Sequence, residues 1–268
     1  MSWNAGHVGQ QQWGELKTWL ASDAKHYCDV LIMQETHWKS SSEFTVSGWY
    51  CISSASQEPD LGVVPPKGRR RSRKDNTQGP STTRADGVMV FLSPSFDKKK
   101  IRWKEWSPGR VLEVRADWQG SRITIASVYQ HAWSAAKTIQ ANKDDRAQVL
   151  SALSKLVKQV PKRDSLVIAG DFNVSVSPVP GLIGPCVVEP QEPRPDEAHF
   201  TNLLSKLRLV ALNTWHASPA HTFCQGEIQT QIDFILTKEP SAGGLAKRAA
   251  PTQHLGLGSW KKGGISPC

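Results

Sequence analysis

Short apolar runs alternate with longer polar stretches along this chain, and the spacing of the apolar positions sorts the runs into two kinds. Trp13, Leu16, Leu20 and Ala24 recur at helical intervals, so residues 13–24 are expected to form an amphipathic helix. A second helix is expected from about 142 to 160, where Leu150, Leu153, Val157 and Val160 make one stripe and Pro161 ends it. "FTNLLSKL" (200–207) reads as a third, shorter helix. The other runs are strand-like: residues 1–4, "DVLIMQE" (29–35), "GVMVFL" (87–92), "VLEVRADW" (111–118), "RITIASVY" (122–129), "LVIAG" (166–170), "LVALNTW" (209–215), "HTFC" (221–224) and "IDFILT" (232–237). In "VLEVRADW", Val111, Glu113 and Arg115 alternate with Leu112, Val114 and Ala116, which predicts a half-exposed strand. Two stretches have no period. Residues 54–86, rich in Pro, Gly, Ser and basic side chains, read as a long disordered insertion, and 176–198, with six prolines, as a loop. Strands outnumber helices and helices interrupt them at intervals, which predicts an α/β fold with sheets packed between helices.

Composition narrows the class. The 268 residues, 38% of them hydrophobic, suffice for one substantial core, so 1–268 is read as a single domain. No apolar run reaches membrane-spanning length, and "MSWNAGHVGQ" lacks the basic and apolar regions of a signal peptide. The expectation is a soluble intracellular protein with no membrane partner. Five scattered cysteines without a CxxC pair argue against a disulfide framework or a zinc site and fit a reducing compartment. Cys28 and Cys51 lie near apolar runs and read as small core residues. The net charge of +9 favours a polyanionic partner, nucleic acid above all. Part of the excess is local: "KGRRRSRK" (67–74) holds six basic residues in eight. It reads as a solvated loop, a phosphate-backbone contact or a nuclear import signal.

Several strand-like runs end in residues able to bind a cation or move a proton. These are Asn4, Glu35, Tyr129 with His131 beyond it, and Asp171 with Asn173; Asp233 stands inside "QIDFIL". Singly each has a dull reading, since an Asp after Gly often caps a turn and a strand-end Glu is usually solvated. As a set along one sheet rim they describe a site. Glu35, helped by Asn4, offers oxygen ligands suited to Mg²⁺ or Mn²⁺ rather than zinc. Asp171 and Asn173 are two apart, so on an extended backbone both are expected on one face. The carboxylate can orient or deprotonate a water, and the amide can hold a phosphate oxygen without adding negative charge. With a cation on the phosphate, this is the equipment for phosphodiester hydrolysis.

"SWNAG" (2–6), "LIMQET" (31–36), "SVYQ" (127–130), "GDFN" (170–173), "HTF" (221–223) and "QIDFIL" (231–236) run nearly the whole chain. In that order they resemble the endonuclease/exonuclease/phosphatase superfamily, which includes the pancreatic-type deoxyribonucleases and the abasic-site endonucleases. The resemblance implies the DNase I-like four-layer α/β-sandwich, two packed mixed β-sheets flanked by helices. It implies that Glu35 is the principal metal ligand and Asn4 the amide near the metal. Tyr129 would contact the phosphate; His131, read from its position two residues beyond, either reaches substrate or serves a structural role. Asp171 would activate the attacking water and Asn173 bind the scissile phosphate. Asp233 would orient a C-terminal His. "VYQHAW" (128–133), "LNTW" (212–215) and "GSWKKGG" (258–264) are most similar to the endonuclease domain of non-LTR, LINE-type retrotransposons. This implies a Mg²⁺- or Mn²⁺-dependent nickase acting on double-stranded DNA, monomeric and nuclear.

Two departures stand out. Gly6 occupies a position where abasic-site enzymes carry Asp, which argues against that specialisation. The family's terminal His is expected just after the Trp/Gly-Gly segment, where Ile265 and Ser266 stand. His254 precedes that segment, which argues against it as a substitute. A truncated C-terminal end and weakened activity are therefore expected. The alternatives are a non-catalytic nucleic-acid-binding pseudo-nuclease, or an enzyme acting on RNA or on phospholipid or inositol headgroups. Trp133 and Trp215, beside the motifs, are candidates for base stacking. Lys98–Lys100 and His7, His26, His37, His199 and His216 read as surface residues.

Overall fold

Two β-sheets lie face to face in the computed structural model, which describes residues 1–56, 86–189, 196–215, 221–225, 228–243 and 249. The first sheet contains β1 (Ser2–Asn4), β2 (Val30–Gln34), β3 (Ser42–Val46), β4 (Trp49–Ser54) and β5 (Val88–Leu92), in the spatial order β1-β2-β5-β4-β3. The second begins with β6 (Arg102–Ser107), β7 (Val111–Trp118), β8 (Ser121–Tyr129), β9 (Ser165–Asp171) and β10 (Leu209–Ala211). After a small ribbon of β11 (Phe223–Gln225) and β12 (Ile228–Thr230), β13 (Asp233–Lys238) enters it between β10 and β9. Both sheets are mixed: β1 and β2 run parallel, as do β8 and β9, and the other pairs are antiparallel.

Three apolar layers hold this together. Between the sheets, Ile32, Ile52, Val88, Val90 and Leu92 meet Leu112, Val114, Ile125 and Ala169. Helix α1 (Gln10–Ser22), followed by α2 (Ala24–Tyr27), covers the outer face of the first sheet with Leu16, Trp19, Leu20 and Ala24 against Leu31, Met33 and Phe91. Helices α3 (Ile139–Gln159) and α4 (Glu197–Leu207) cover the second sheet with Val149, Leu153, Leu156, Phe200 and Leu204. Helix α5 (Glu239–Ala242) packs at the β10 edge through Ala242. The order is helix, sheet, sheet, helix, which is the four-layer architecture expected. No helix among the described residues is long and apolar enough to cross a membrane.

Several local expectations are corrected. Strand β7 is not half-exposed: Val111 to Val114 are all buried, Glu113 included. Apolar contacts cover one face; on the other, Glu113 accepts hydrogen bonds from Trp106 Nε1 at 2.8 Å and Arg115 Nε at 2.6 Å. The insertion begins later than residue 54, because β4 runs to Ser54 and Ala55 is buried; residues 57–85 lie outside the described residues. The pattern also missed β3, β4 and β6. β3 and β4 are joined by a turn at Ser47 and Gly48, both at positive φ, the geometry of a tight hairpin. β6 is an edge strand whose charged residues hide its period. "LVALNTW" is a strand only to Ala211, then turns through a 3₁₀ segment over Leu212–Thr214. Cys51 is fully buried, and Cys28 packs on the same cluster.

Candidate active site

The parallel pairs decide where the polar strand ends meet. Strands β1 and β2 end together, with Asn4 beside Gln34, and β8 and β9 end with Tyr129 beside Asp171. Strand β13 runs the other way, so its first residue, Asp233, pairs with Asp171. One rim of the two sheets therefore gathers Asn4, Glu35, Tyr129, Asp171 and Asp233. Gly170 lets β9 reach that rim: a Cβ there would stand 1.8 Å from the Val128 carbonyl oxygen.

Hydrogen bonds tie the two sheets across the rim. Asn4 Nδ2 donates to Asp171 Oδ2 at 2.8 Å, and the Gly6 amide donates to Asn4 Oδ1 at 2.9 Å. The Tyr129 hydroxyl donates to Glu35 Oε1 at 2.6 Å. The Arg110 guanidinium lies 4.5 Å from the centre of the Tyr129 ring. Asn173 does not follow the extended alternation expected of it. β9 ends at Asp171 and Asn173 adopts a left-handed φ of 47°, for which Asn is better suited than most residues. Its backbone amide donates to Asp171 Oδ1 at 2.7 Å, while Nδ2 donates to the Gln130 carbonyl at 2.9 Å. Asp171 and Asn173 are neighbours through this local turn rather than through strand geometry.

Burial sets the electrostatics. Asp171 is enclosed, and desolvation pushes its carboxyl up to about 7, against the pull of its two hydrogen bonds. Asp233 is raised as well, by burial first and then by the nearby Asp171 charge. Tyr129 is held far into its protonated form by burial and by Glu35. His131, half-buried near Arg110, is lowered to about 4 and is neutral at pH 7. Its backbone is fixed from both sides, its amide donating to Gln130 Oε1 at 2.9 Å and its carbonyl accepting from Arg146.

Three supports carried no role in the sequence reading. Thr222 Oγ1 accepts the amides of Ile232 and Asp233, each at 3.1 Å, and so fixes the start of β13. Asn213 Nδ2 donates to the Asp233 carbonyl at 2.9 Å. Arg146, buried on α3, spreads its guanidinium over Asp196 and the carbonyls of His131, Phe172 and Asn173, the last two at 3.2 Å. Thr222 lies in the quoted "HTF" motif, but Arg146 sits in "DDRAQVL" with nothing to set it apart from a solvated helix residue. His254, Ile265 and Ser266 lie outside the described residues.

The donor set fits a hard cation. Glu35 uses Oε1 on Tyr129, and no hydrogen bond engages Oε2 among the described residues. Asn4 Oδ1 accepts one bond and keeps a second lone pair. One carboxylate and one amide oxygen suit Mg²⁺ or Mn²⁺, which complete their shells with water and substrate phosphate. Among the described residues no cluster of three or more His, Cys, Asp or Glu is placed to hold a metal, so a cation here depends on water and substrate.

Comparison with known proteins agrees with this architecture. No curated protein matches the chain. Among solved structures, the endonuclease domain of TRAS1, a telomere-specific non-LTR retrotransposon, superposes with a TM-score of 0.58 at 15% identity, covering 99% of this chain and 93% of its own. The AP endonuclease LMAP from Leishmania major superposes with a TM-score of 0.63 at 13% identity, over 99% of this chain and 84% of its own. A 3′ phosphatase, NExo, from Neisseria does so with a TM-score of 0.58 at 17% identity, over 90% and 87%. At these identities the likeness establishes the fold. The model of the Endonuclease/Exonuclease/phosphatase family matches residues 1–245, and the chain belongs to that family.

Proposed function

We propose that the chain is a Mg²⁺- or Mn²⁺-dependent phosphodiesterase that nicks double-stranded DNA in the manner of a retrotransposon endonuclease. One observation carries this reading. The Asn4–Asp171–Asn173 hydrogen-bond chain and the Glu35–Tyr129 pair each bridge the two sheets, and they lie side by side on the rim because Tyr129 and Asp171 are register partners. The net charge of +9 supports a polyanionic substrate. Two of the similar structures are named as a retrotransposon endonuclease domain and as a phosphatase bound to a DNA hairpin product.

The residues divide the work by chemistry. Asp171, with its carboxyl near 7, is matched to taking a proton from the attacking water at neutral pH. Asn4 and the Asn173 amide hold its two oxygens, which fixes the direction from which that water approaches. Asn173 Nδ2 spends one hydrogen on Gln130 and has a second for a phosphate oxygen. Tyr129 is kept protonated and spends its hydroxyl hydrogen on Glu35 Oε1, which holds that carboxylate in place for the cation. Glu35 and Asn4 would hold the cation, which when bound neutralises phosphate charge and stabilises the charge that develops on the leaving oxygen. Asp233 braces Asp171 through the β9–β13 pairing, and His131 lines the approach as a neutral group.

Supercoiled plasmid incubated with Mg²⁺ tests the proposal. Conversion to open circles is expected, slowed by about 10²-fold or more in Glu35→Ala and in Asn173→Ala. Undiminished nicking by Glu35→Ala would refute the assignment. A folded protein that binds DNA but never cuts it would replace the nickase with a non-catalytic DNA-binding protein.

A further inference from the structure

The residue that follows Tyr129 is enclosed at the rim, and all four of its hydrogen-bonding groups are engaged there. Gln130 is 1% exposed. A polar side chain enclosed to that degree needs partners for its amide. Oε1 accepts from the His131 amide at 2.9 Å, and Nε2 donates to the Arg146 carbonyl on α3 at 3.1 Å. The backbone amide of Gln130 donates to the Asp171 carbonyl at 2.8 Å, and its carbonyl accepts from Asn173 Nδ2 at 2.9 Å. A buried glutamine that only satisfies nearby backbone would account for the first two bonds. The other two end on the residues that carry the candidate chemistry of β9.

The peptide between Gln130 and His131 connects the two pairs of bonds. A peptide group is planar, so the Gln130 carbonyl and the His131 N–H turn as one body. The Gln130 side chain holds the N–H edge of that plane, and Asn173 Nδ2 meets the carbonyl edge. A side-chain amide has two ends of similar shape and opposite hydrogen-bonding sense. A carbonyl only accepts, so it selects the NH₂ end of Asn173 and turns Oδ1 away. Both hydrogens of that NH₂ lie in the amide plane. With one committed to the Gln130 carbonyl, the direction of the other follows from the direction of that carbonyl. Ladder bonds cannot supply this control, because β9 ends at Asp171 and Asn173 stands beyond it at a φ of 47°. The far end of the Gln130 side chain is itself anchored: the Arg146 carbonyl accepts from it, and the Arg146 guanidinium returns to the carbonyls of His131 and Asn173.

We infer that Gln130 is a positioning residue for Asn173: its side-chain amide fixes the plane of the peptide it shares with His131, and the carbonyl of that plane aims the second N–H of Asn173 Nδ2 at a phosphate oxygen. The target of that N–H rests on the phosphodiesterase reading; the fixing of Asn173 does not. The Gln130 side chain makes no hydrogen bond to Glu35 or Asn4 among the described residues. Its loss should therefore slow the reaction without changing the demand for the cation.

Gln130→Met tests this, since it keeps the length of the side chain and the backbone bonds and removes both amide contacts. In the plasmid assay it should slow nicking by about 10–100-fold, the scale on which groups that orient another group act, at an unchanged Mg²⁺ half-saturation. Combined with Asn173→Ala it should be no slower than Asn173→Ala alone, because the two residues act in series. A glutamine that merely supports the fold would instead multiply the two effects. A readout free of activity comes from ¹⁵N NMR: the Asn173 side-chain NH₂ signals, identified by their loss in Asn173→Ala, should lose protection from solvent exchange in Gln130→Met. Circular dichroism confirms that the variants fold. Gln130→Glu, which keeps the acceptor facing the His131 amide, should retain most of the rate and covers the case in which Gln130→Met does not fold. Native nicking by folded Gln130→Met, multiplied effects in the double variant, a raised Mg²⁺ requirement, unchanged Asn173 protection, or Gln130→Glu as slow as Asn173→Ala would each overturn the inference. A native protein that does not nick would remove the nickase reading and leave the exchange measurement to decide on Gln130.

Discussion

Asp171→Asn should stabilise the metal-free protein at alkaline pH and destabilise it in acid. In the native protein this carboxyl is held at about 7 by burial, against an ordinary value of 3.8. Its folded value is raised, so the stability is fully present below about 3.8 and is lost as pH rises through about 7. At about 1.4 kcal/mol per pH unit, ionisation removes about 4 kcal/mol from the native state by pH 8.5. Asparagine cannot ionise, so it escapes that loss. It brings a penalty of its own, because both Asp171 oxygens accept from donors, Asn4 Nδ2 and the Asn173 amide. An NH₂ group in either place faces a donor, and one buried hydrogen bond is lost at about 1–3 kcal/mol. The variant should therefore be more stable than the native protein by about 1–3 kcal/mol at pH 8.5. Near pH 4 it should be less stable by up to about the same amount. With about 2–4 °C of Tm per kcal/mol for a chain of this size, the two profiles of Tm against pH should cross, with the variant higher by about 2–12 °C at pH 8.5. Thermal melts followed by circular dichroism between pH 4 and 8.5, with a chelator present, give both curves. Parallel curves with a constant offset would refute the reasoning, because they would mean that the Asp171 charge is not what burial opposes.

Arg146→Met leaves the Asp196 carboxylate without its cation and should cost about 3–5 kcal/mol in urea denaturation. Adding Asp196→Asn should restore part of that loss. Thr222→Val strands the amides of Ile232 and Asp233 and should destabilise by about 2–4 kcal/mol on the same assay. Phe172→Ala empties a site packed by Phe200 and Phe234, at 5.0 and 6.0 Å between ring centres, and should cost about 3–5 kcal/mol.

The fold was legible wherever burial leaves a period in the chain. Leu16 and Leu20 cover a sheet as their spacing predicts, though their helix ends at Ser22 and Ala24 opens a second one, and "LVIAG" is the buried strand that places Asp171. The candidate site was legible because parallel strands end together, so polar residues scattered in sequence collect on one rim. What escaped is what pairing across the fold decides. Glu113 is buried because Trp106 and Arg115 satisfy it, and alternation cannot report a partner. Asn173 leaves the extended conformation because the Asp171 carboxylate captures its amide, a local competition that a two-residue period does not foresee. Arg146 could not be told from an exposed helix residue, since three of its partners are backbone carbonyls. The hydrogen bond between His7 and His37 joins two turns thirty residues apart.

The buried fan of Arg146 has a consequence for how this molecule opens. A single guanidinium on α3 holds the backbone of His131, Phe172 and Asn173, so those loops do not fray independently. The strands that carry Tyr129 and Asp171 and the helix behind them should open as one cooperative unit of local unfolding. In amide hydrogen exchange, Asn173 should share the opening free energy of the middle of α3 rather than the low protection of a surface loop. The rim that carries the candidate site would thus take its rigidity from a helix on the far side of the sheet.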